Sequence, residues 1–161
     1  QLEKIKMKEF FQKLYQSIEA EYKMDAKIQL GKFETVIEGK EIYVRIDKFR
    51  IEQVMQNYVV NAIKFNSSQE KIITLHCYPQ LHDDRNEVII VVEDNGEGIG
   101  DQELKQIFER FYKKSEGNRE GSGLGLAIAK EIIEQHEGRV GATSILKQGS
   151  RFYFTLPLFL E

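Results

Sequence analysis

The sequence predicts an α+β domain whose helices cover one face of a β-sheet. Two observations carry this expectation. Short runs of strand-like residues, most of them alternating apolar and polar, recur at 27–36, 42–46, 71–78, 87–93, 139–146 and 151–159. Longer segments with apolar residues at helical spacing fall between them, at 2–22, 48–66 and 126–135. A chain of 161 residues, 41% hydrophobic and 30% charged, has the size and composition of one globular domain. At this length it buries roughly two-thirds of its unfolded surface. Residues 1–161 are therefore expected to form a single domain, with 1–6 a remnant of a preceding linker or helix.

In chain order, Leu2, Ile5, Phe10, Leu14, Ile18 and Tyr22 define the first helix. The runs at 27–36 and 42–46 follow as strands, with a turn at Gly39. Asp47 then precedes a strongly apolar helix and has the chemistry of an N-cap. Ile51, Val54, Met55, Tyr58, Ala62 and Phe65 share one broad face of that helix. The strands at 71–78 and 87–93, joined by P-Q-L-H-D-D-R-N, form a hairpin with a long loop. Asp101 is placed to cap a short helix carrying Leu104, Ile107, Phe108 and Phe111. Gly138 follows the helix at 126–135 as its terminator. In the last strand Phe152, Phe154 and Leu156 oppose Tyr153 and Thr155, which fits a sheet with one face under helices.

Composition narrows the function classes. The net charge of −3 argues against a broad nucleic-acid footprint. The lone Cys77 rules out an internal disulfide and reads as a small buried hydrophobe. No apolar run approaches the ~18–20 residues of a membrane span, and no signal-peptide pattern is visible. The chain opens on Gln1 inside a helical pattern and reads as a fragment of something longer. His76, His82 and His136 lie in no metal-cage spacing.

Three stretches carry candidate chemistry. Asn57, Asn61 and Lys64 stand at i, i+4 and i+7, within about 60° of one another on the helix, and Gln53 extends the stripe. The stripe has two readings. One is a solvated face. The other is a ligand set, with hard amide oxygens for a metal ion and a point charge for a phosphate. Asp94 ends a strand and opens D-N-G-E-G-I-G at 94–100, where a carboxylate beside glycines suits an amine such as that of adenine. Gly121, Gly123 and Gly125 open the helix at 126–135, where free N–H groups and the helix dipole suit an anion. Their context fits neither the dinucleotide fingerprint nor the P-loop. Between the two corners, residues 110–120 carry Arg110, Lys113, Lys114 and Arg119. That segment reads either as a surface loop or as a cationic lid.

Taken in order, N-x-x-x-N-A-I-K-F at 57–65, D-N-G-E-G-I at 94–99, F-E-R-F-Y at 108–112 and G-S-G-L-G-L-A-I at 121–128 form a recognisable set. The set resembles the catalytic and ATP-binding domain of sensor histidine kinases, in the superfamily shared with gyrase, Hsp90 and MutL-type ATPases. The resemblance spans residues 47–158 and includes a terminal G-S-R-F-Y-F-T-L-P at 149–157.

The resemblance implies a two-layer α/β sandwich of the Bergerat type, with helices on one face of a mixed, mostly antiparallel sheet. It implies ATP and Mg²⁺ as ligands. By motif position Asn61 is similar to the Mg²⁺ ligand, with Asn57 beside it and Lys64 on a phosphate, and these three become the candidate catalytic residues. Asp94 resembles the adenine-amine acceptor, with Gly96, Gly98 and Ile99 shaping the pocket. Phe65 and Tyr112 fall where the family places aromatics near the base. Gly121, Ser122, Gly123, Leu124, Gly125 and Leu126 correspond to the lid end and phosphate approach, and Lys113 or Arg119 to the closing cations. The implied partners are the protein's own phosphoacceptor and dimerisation domain, in a homodimer, and a downstream response regulator. Residues 1–6 then become the end of a linker or dimerisation helix. The implied location is the cytoplasmic side of a membrane-anchored sensor kinase.

One departure is informative. The ATP-hydrolysing relatives carry Glu four residues before the Mg²⁺ Asn, as base for water. Here Asn57 occupies that position, and an amide cannot abstract a proton. That favours delivery of the γ-phosphate to another nucleophile. The family's phosphoacceptor histidine lies on a separate helical hairpin, a setting that none of His76, His82 and His136 has. Two further readings share the fold: an anti-sigma-factor type serine kinase, and a nucleotide-binding regulatory module without kinase activity. The F-E-R-F-Y box and the helical N-terminus count against the first. Intact Asn61, Asp94 and the glycines count against the second.

Overall fold

The computed structural model describes residues 1–109 and 124–161. Their elements run β1 (Glu3–Lys6), α1 (Met7–Tyr22), β2 (Lys27–Phe33), β3 (Val36–Ile37), β4 (Lys40–Ile46), α2 (Lys48–Lys64), β5 (Ile72–Leu81), β6 (Asn86–Asp94), α3 (Asp101–Leu104), α4 (Gly125–Gln135), β7 (Val140–Ile145), β8 (Gly149–Pro157) and β9 (Phe159–Leu160). Five strands form one sheet in the order β2-β5-β6-β8-β7. β2 runs parallel to β5, and every other pair is antiparallel. A smaller sheet is built on β4, which pairs with β1, β3 and β9. The fold is thus α+β, with a mixed, mostly antiparallel sheet.

The core lies between this sheet and the helices. Alternation turns Ile73, Leu75 and Cys77 of β5, Val88, Ile90 and Val92 of β6, and Phe152, Phe154 and Leu156 of β8 towards the helices. Met7, Phe11 and Ile18 of α1 meet them, with Ile51, Val54, Met55 and Tyr58 of α2 and Ile132 and Ile133 of α4. Tyr58 packs edge-on against Phe152 and Phe154, and its hydroxyl donates to the Tyr153 carbonyl at 3.0 Å. That bond satisfies a polar group which burial would otherwise strand. Cys77 is fully buried, as expected, and burial pushes its thiol up.

On the face of the sheet opposite this core, Ile89 and Val91 are 7% and 2% exposed. His76, Val91, Tyr153 and Gly141 form one cross-strand row. A Cβ at Gly31 would lie 2.3 Å from the His76 ring, and one at Gly141 would lie 2.3 Å from the Tyr153 hydroxyl. The His76 and Tyr153 rings thus lie over the glycines of the two edge strands.

Three local expectations change. Residues 3–6 form β1 rather than the first turn of a helix. Their ladder partner is β4, with Ile5 opposite Val44, and a partner some forty residues away leaves no trace in a helical-wheel pattern. The helix capped at Asp101 is only four residues long, and its N-cap is Gly100. Beyond it Gln106 N–H donates to Glu103 and Glu109 N–H to Gln106, a series of tight turns. They still bury Ile107 and set Phe108 against Phe152. Finally, the left-handed residue after α4 and its C-cap His136 is Glu137, φ 63°, not Gly138. Gly138 answers a different need: a Cβ there would lie 1.9 Å from the Thr155 carbonyl oxygen.

Candidate functional site

The stripe on α2 is set by capping at one end and side-chain bonds at the other. The Asp47 carboxylate accepts from the Arg50 N–H at 3.4 Å, so the expected N-cap is present. The Asp47 N–H donates to His136 Nε2 at 3.1 Å, and His136 Nδ1 donates to the Ile132 carbonyl at 2.8 Å. Arg50 and Gln135 are also hydrogen-bonded. The start of α2 is thereby tied to the end of α4. At the other end of the pair, Asn57 Nδ2 donates to the Gly125 carbonyl at 3.1 Å. The two helices are therefore antiparallel, and α4 is pinned to α2 at both of its ends. Asn57 and Asn61 are half-buried beside buried Tyr58 and Ala62, and Lys64 is exposed. The middle of the stripe borders the core, while Gln53 and Lys64 at its two ends are exposed.

α2 ends at Lys64, with Phe65 as its C-cap and the Phe65 N–H on the Asn61 carbonyl at 3.0 Å. Lys71 Nζ reaches the Ile63 carbonyl at 3.1 Å, a cation on the negative end of the helix. The segment that follows, on its way into β5, passes beside the end of β6. A Cβ on Gly96 would lie 3.0 Å from Asp94 Oδ1, 3.2 Å from the Phe65 carbonyl oxygen and 3.3 Å from Asn66 Cα. Phe65, Asp94 and Gly96 are thus brought together from two elements. Asp94 Oδ1 accepts from the Gly96 N–H at 2.8 Å and the Ser150 N–H at 3.3 Å. Two backbone donors fix the carboxylate's orientation.

Gly98 and Ile99 are placed differently from the other loop residues. A Cβ on Gly98 would meet the Ile145 carbonyl oxygen at 2.5 Å, so the loop lies on the β7–β8 hairpin there. The Ile99 N–H donates to Ser144 Oγ at 2.7 Å, and its side chain packs on the core. Leu124 is the N-cap of α4, and Leu126 packs on the core. Tyr112, Lys113, Arg119, Gly121, Ser122 and Gly123 lie outside the described residues, as do Arg110, Phe111 and Lys114.

Several residues that position this site escaped the sequence reading. Gly149 has φ 127°, and a Cβ there would lie 2.0 Å from the Asp94 carbonyl oxygen. Ser150, 4% exposed, donates its N–H to Asp94. Asn66 and Asn95 join their side chains at 2.9 Å. Gly149 and Ser150 open the G-S-R-F-Y-F-T-L-P run and Asn95 lies in the D-N-G-E-G-I box, but neither motif assigned them a positioning role. Among the described residues no group of three or more His, Cys, Asp or Glu could hold a metal ion, and no helix is long and apolar enough to cross a membrane. A cleft of about 470 Å³ lined by Lys105, Phe108, Lys130, Glu134 and Arg139 lies at the other end of α4 and contains none of the expected site residues.

A family model described as histidine kinase-, DNA gyrase B-, and HSP90-like ATPase matches residues 46–160. The sensor protein kinase WalK of Staphylococcus haemolyticus is 38% identical over 124 residues, which are 75% of this chain and 20% of that protein. WalK of Staphylococcus aureus is 35% identical over the same share of this chain and 29% of its own length. The chain therefore spans less than a third of these curated relatives. Among solved structures, a mycobacterial sensor histidine kinase, MprB, superposes with a TM-score of 0.76 at 22% identity over 100% of both chains. Full-length ShkA in complex with AMPPNP gives 0.75 at 23% identity over 99% of this chain and 32% of that one. At these identities the structural likeness shows the shared fold.

Proposed function

The chain belongs to the histidine kinase-, DNA gyrase B- and HSP90-like ATPase family, and from that membership we propose that it binds Mg²⁺-ATP and donates the γ-phosphate to a histidine. The acceptor lies on a separate dimerisation and phosphoacceptor domain of a two-component sensor kinase, whose response regulator takes the phosphate onward. The full-length protein in this proposal is a membrane-anchored homodimer with this domain on the cytoplasmic side. The curated relatives support it, being named sensor protein kinases. So does a fold neighbour captured with the nucleotide analogue AMPPNP.

The observation that carries the nucleotide reading is the joint at Gly96. It sets the end of the Asn57–Lys64 helix beside a carboxylate held by two backbone N–H groups. Asp94 accepts the exocyclic amine of adenine. Phe65, half-buried at the same joint, borders the base. Asn61 supplies an amide oxygen to Mg²⁺, and Lys64 meets a phosphate. The donor set fits this metal: one neutral hard oxygen from the protein suits an ion that keeps its waters and shares phosphate oxygens. When bound, the ion neutralises charge on the phosphate oxygens. Asn57 holds the start of α4 through Gly125 and, being an amide, activates no water. The chain's contribution is positioning and charge stabilisation of the transferring phosphoryl group.

Titration with a non-hydrolysable ATP analogue tests this, with and without Mg²⁺, on wild type, Asn61→Asp and Asp94→Asn. Saturable binding weakened by either substitution supports the site. Absence of binding by wild type overturns it. When the chain is joined to its upstream helical domain, acid-labile, alkali-stable phosphate supports histidine transfer, and phosphoserine refutes it.

A further inference from the structure

Between the two halves of the proposed site lies Asn95, which sits inside the D-N-G-E-G-I box but was assigned no role there. Its Oδ1 accepts from Asn66 Nδ2 and from the Ile72 N–H, both at 2.9 Å. Its Nδ2 donates to the Glu70 carbonyl at 2.9 Å, and its own carbonyl accepts from Ser68 Oγ at 2.8 Å. Asn66, 2% exposed, accepts from the Ser68 N–H at 2.9 Å. All of these bonds but the last, which is internal to the segment, stitch the stretch between α2 and β5 onto the residue that follows Asp94. The Gly96 N–H, next in the chain, holds the Asp94 carboxylate.

We propose that Asn95 is a positioning residue that holds the α2 stripe in register with Asp94, so that base identity and phosphate binding are read as one unit. The proposal rests on the nucleotide reading above. The chemistry requires an asparagine. One side chain must accept two N–H bonds and donate a third, and only a carboxamide at this length does so. Aspartate loses the donor. Alanine loses all three and leaves the Ile72 N–H and the buried Asn66 amide without their acceptor. Residues 66–70 then keep only the Ser68 Oγ bond to the backbone carbonyl of residue 95, and the mutual placement of Phe65 and Asp94 loosens.

The test titrates non-hydrolysable ATP and GTP analogues with Mg²⁺ into wild type, Asn95→Ala, Asn66→Ala and the double variant, each checked for a cooperative melt. Asn95→Ala is expected to weaken the ATP analogue about tenfold and the GTP analogue less, so that base selectivity falls. The double variant adds little to either single one, because both cut the same stitch. Equal weakening of the two analogues, or additive losses in the double variant, would overturn the proposal in favour of general destabilisation. Hydrogen exchange on the ligand-free protein covers an Asn66→Ala that does not fold. In Asn95→Ala the Ile72 amide must lose protection while the Ile90 amide keeps it, and unchanged Ile72 protection refutes the stitch. A wild type that binds neither analogue sinks the nucleotide reading itself. Wild-type binding with unchanged selectivity in Asn95→Ala sinks this proposal alone.

Discussion

Asn57 donates its side-chain amide to the backbone carbonyl of Gly125 at 3.1 Å. One bond thus joins the candidate ligand stripe to the first residue of α4, and it spends the amide's donor while leaving the amide oxygen outside that bond. Asn57→Ala should lower stability by about 1 kcal/mol and weaken ATP-analogue binding about tenfold. Calorimetric titration and a denaturant melt measure the two effects. Analogue affinity equal to wild type would mean that Asn57 serves only the helix pair.

Gly149 is where the β7–β8 hairpin presses on the candidate base acceptor. Its φ of 127° disfavours any side chain, and a Cβ would lie 2.0 Å from the Asp94 carbonyl oxygen. Gly149→Ala is expected to cost about 1–3 kcal/mol and to displace the strand end that carries Asp94. Nucleotide binding should fall more than in Gly39→Ala, where a Cβ meets nothing within 4 Å although φ is also positive, at 79°. Equal effects of the two substitutions on binding would argue against the contact.

The end of α4 separates two roles that a glycine often combines. Glu137 takes the left-handed conformation at φ 63°, and Gly138 takes the close approach to Thr155. Glu137→Gly should therefore stabilise the protein by about 0.5–1 kcal/mol, while Gly138→Ala destabilises it by about 2 kcal/mol or more. Chemical denaturation of the two variants decides the matter. A Glu137→Gly variant less stable than wild type would contradict the assignment.

Glu87 supplies a pH dependence. It is 3% exposed, and its carboxylate meets Arg139 Nη2 at 2.7 Å, His82 Nε2 at 3.0 Å and Arg85 Nε at 3.6 Å. Burial pushes the carboxyl up. The hydrogen bonds from Arg139 and Thr155 and the charges of Arg139 and Arg85 outweigh it and hold the group below its ordinary value. A depressed carboxyl stabilises the fold above its unfolded pKa, and that stability is lost as pH falls through the lower folded value. The melting temperature should drop between about pH 5 and pH 3. Glu87→Gln should cost about 1–3 kcal/mol at pH 7 and flatten that drop. An unchanged slope would assign the acid sensitivity to other carboxylates.

Much of the fold is written in local periodicity. Phe152, Phe154 and Leu156 face the helices because a strand alternates, and Ile51, Val54, Met55 and Tyr58 share a face because a helix turns 100° per residue. Asp47 caps α2 because its carboxylate reaches the free N–H of Arg50, three residues on. The Asn57, Asn61 and Lys64 stripe is legible for the same reason, since side chains at i, i+4 and i+7 on a helix need no information from elsewhere. β1 was hidden, because what makes residues 3–6 a strand is the edge of β4. The parallel pairing of β2 with β5 was equally hidden.

The sequence by itself therefore determined most of the elements, their core faces and the residue types of the candidate site. Tertiary structure alone decided how the two halves of the site meet. Asn95 is an ordinary N-G asparagine until the segment after α2 folds back onto it. Gly149 is a turn residue until Asp94 lies beneath it. The physical reason is range. Alternation and helical twist arise between neighbours along the chain, whereas hydrogen bonds between residues 66–72 and 95, or contact between 94 and 149, exist only once distant backbones share one register.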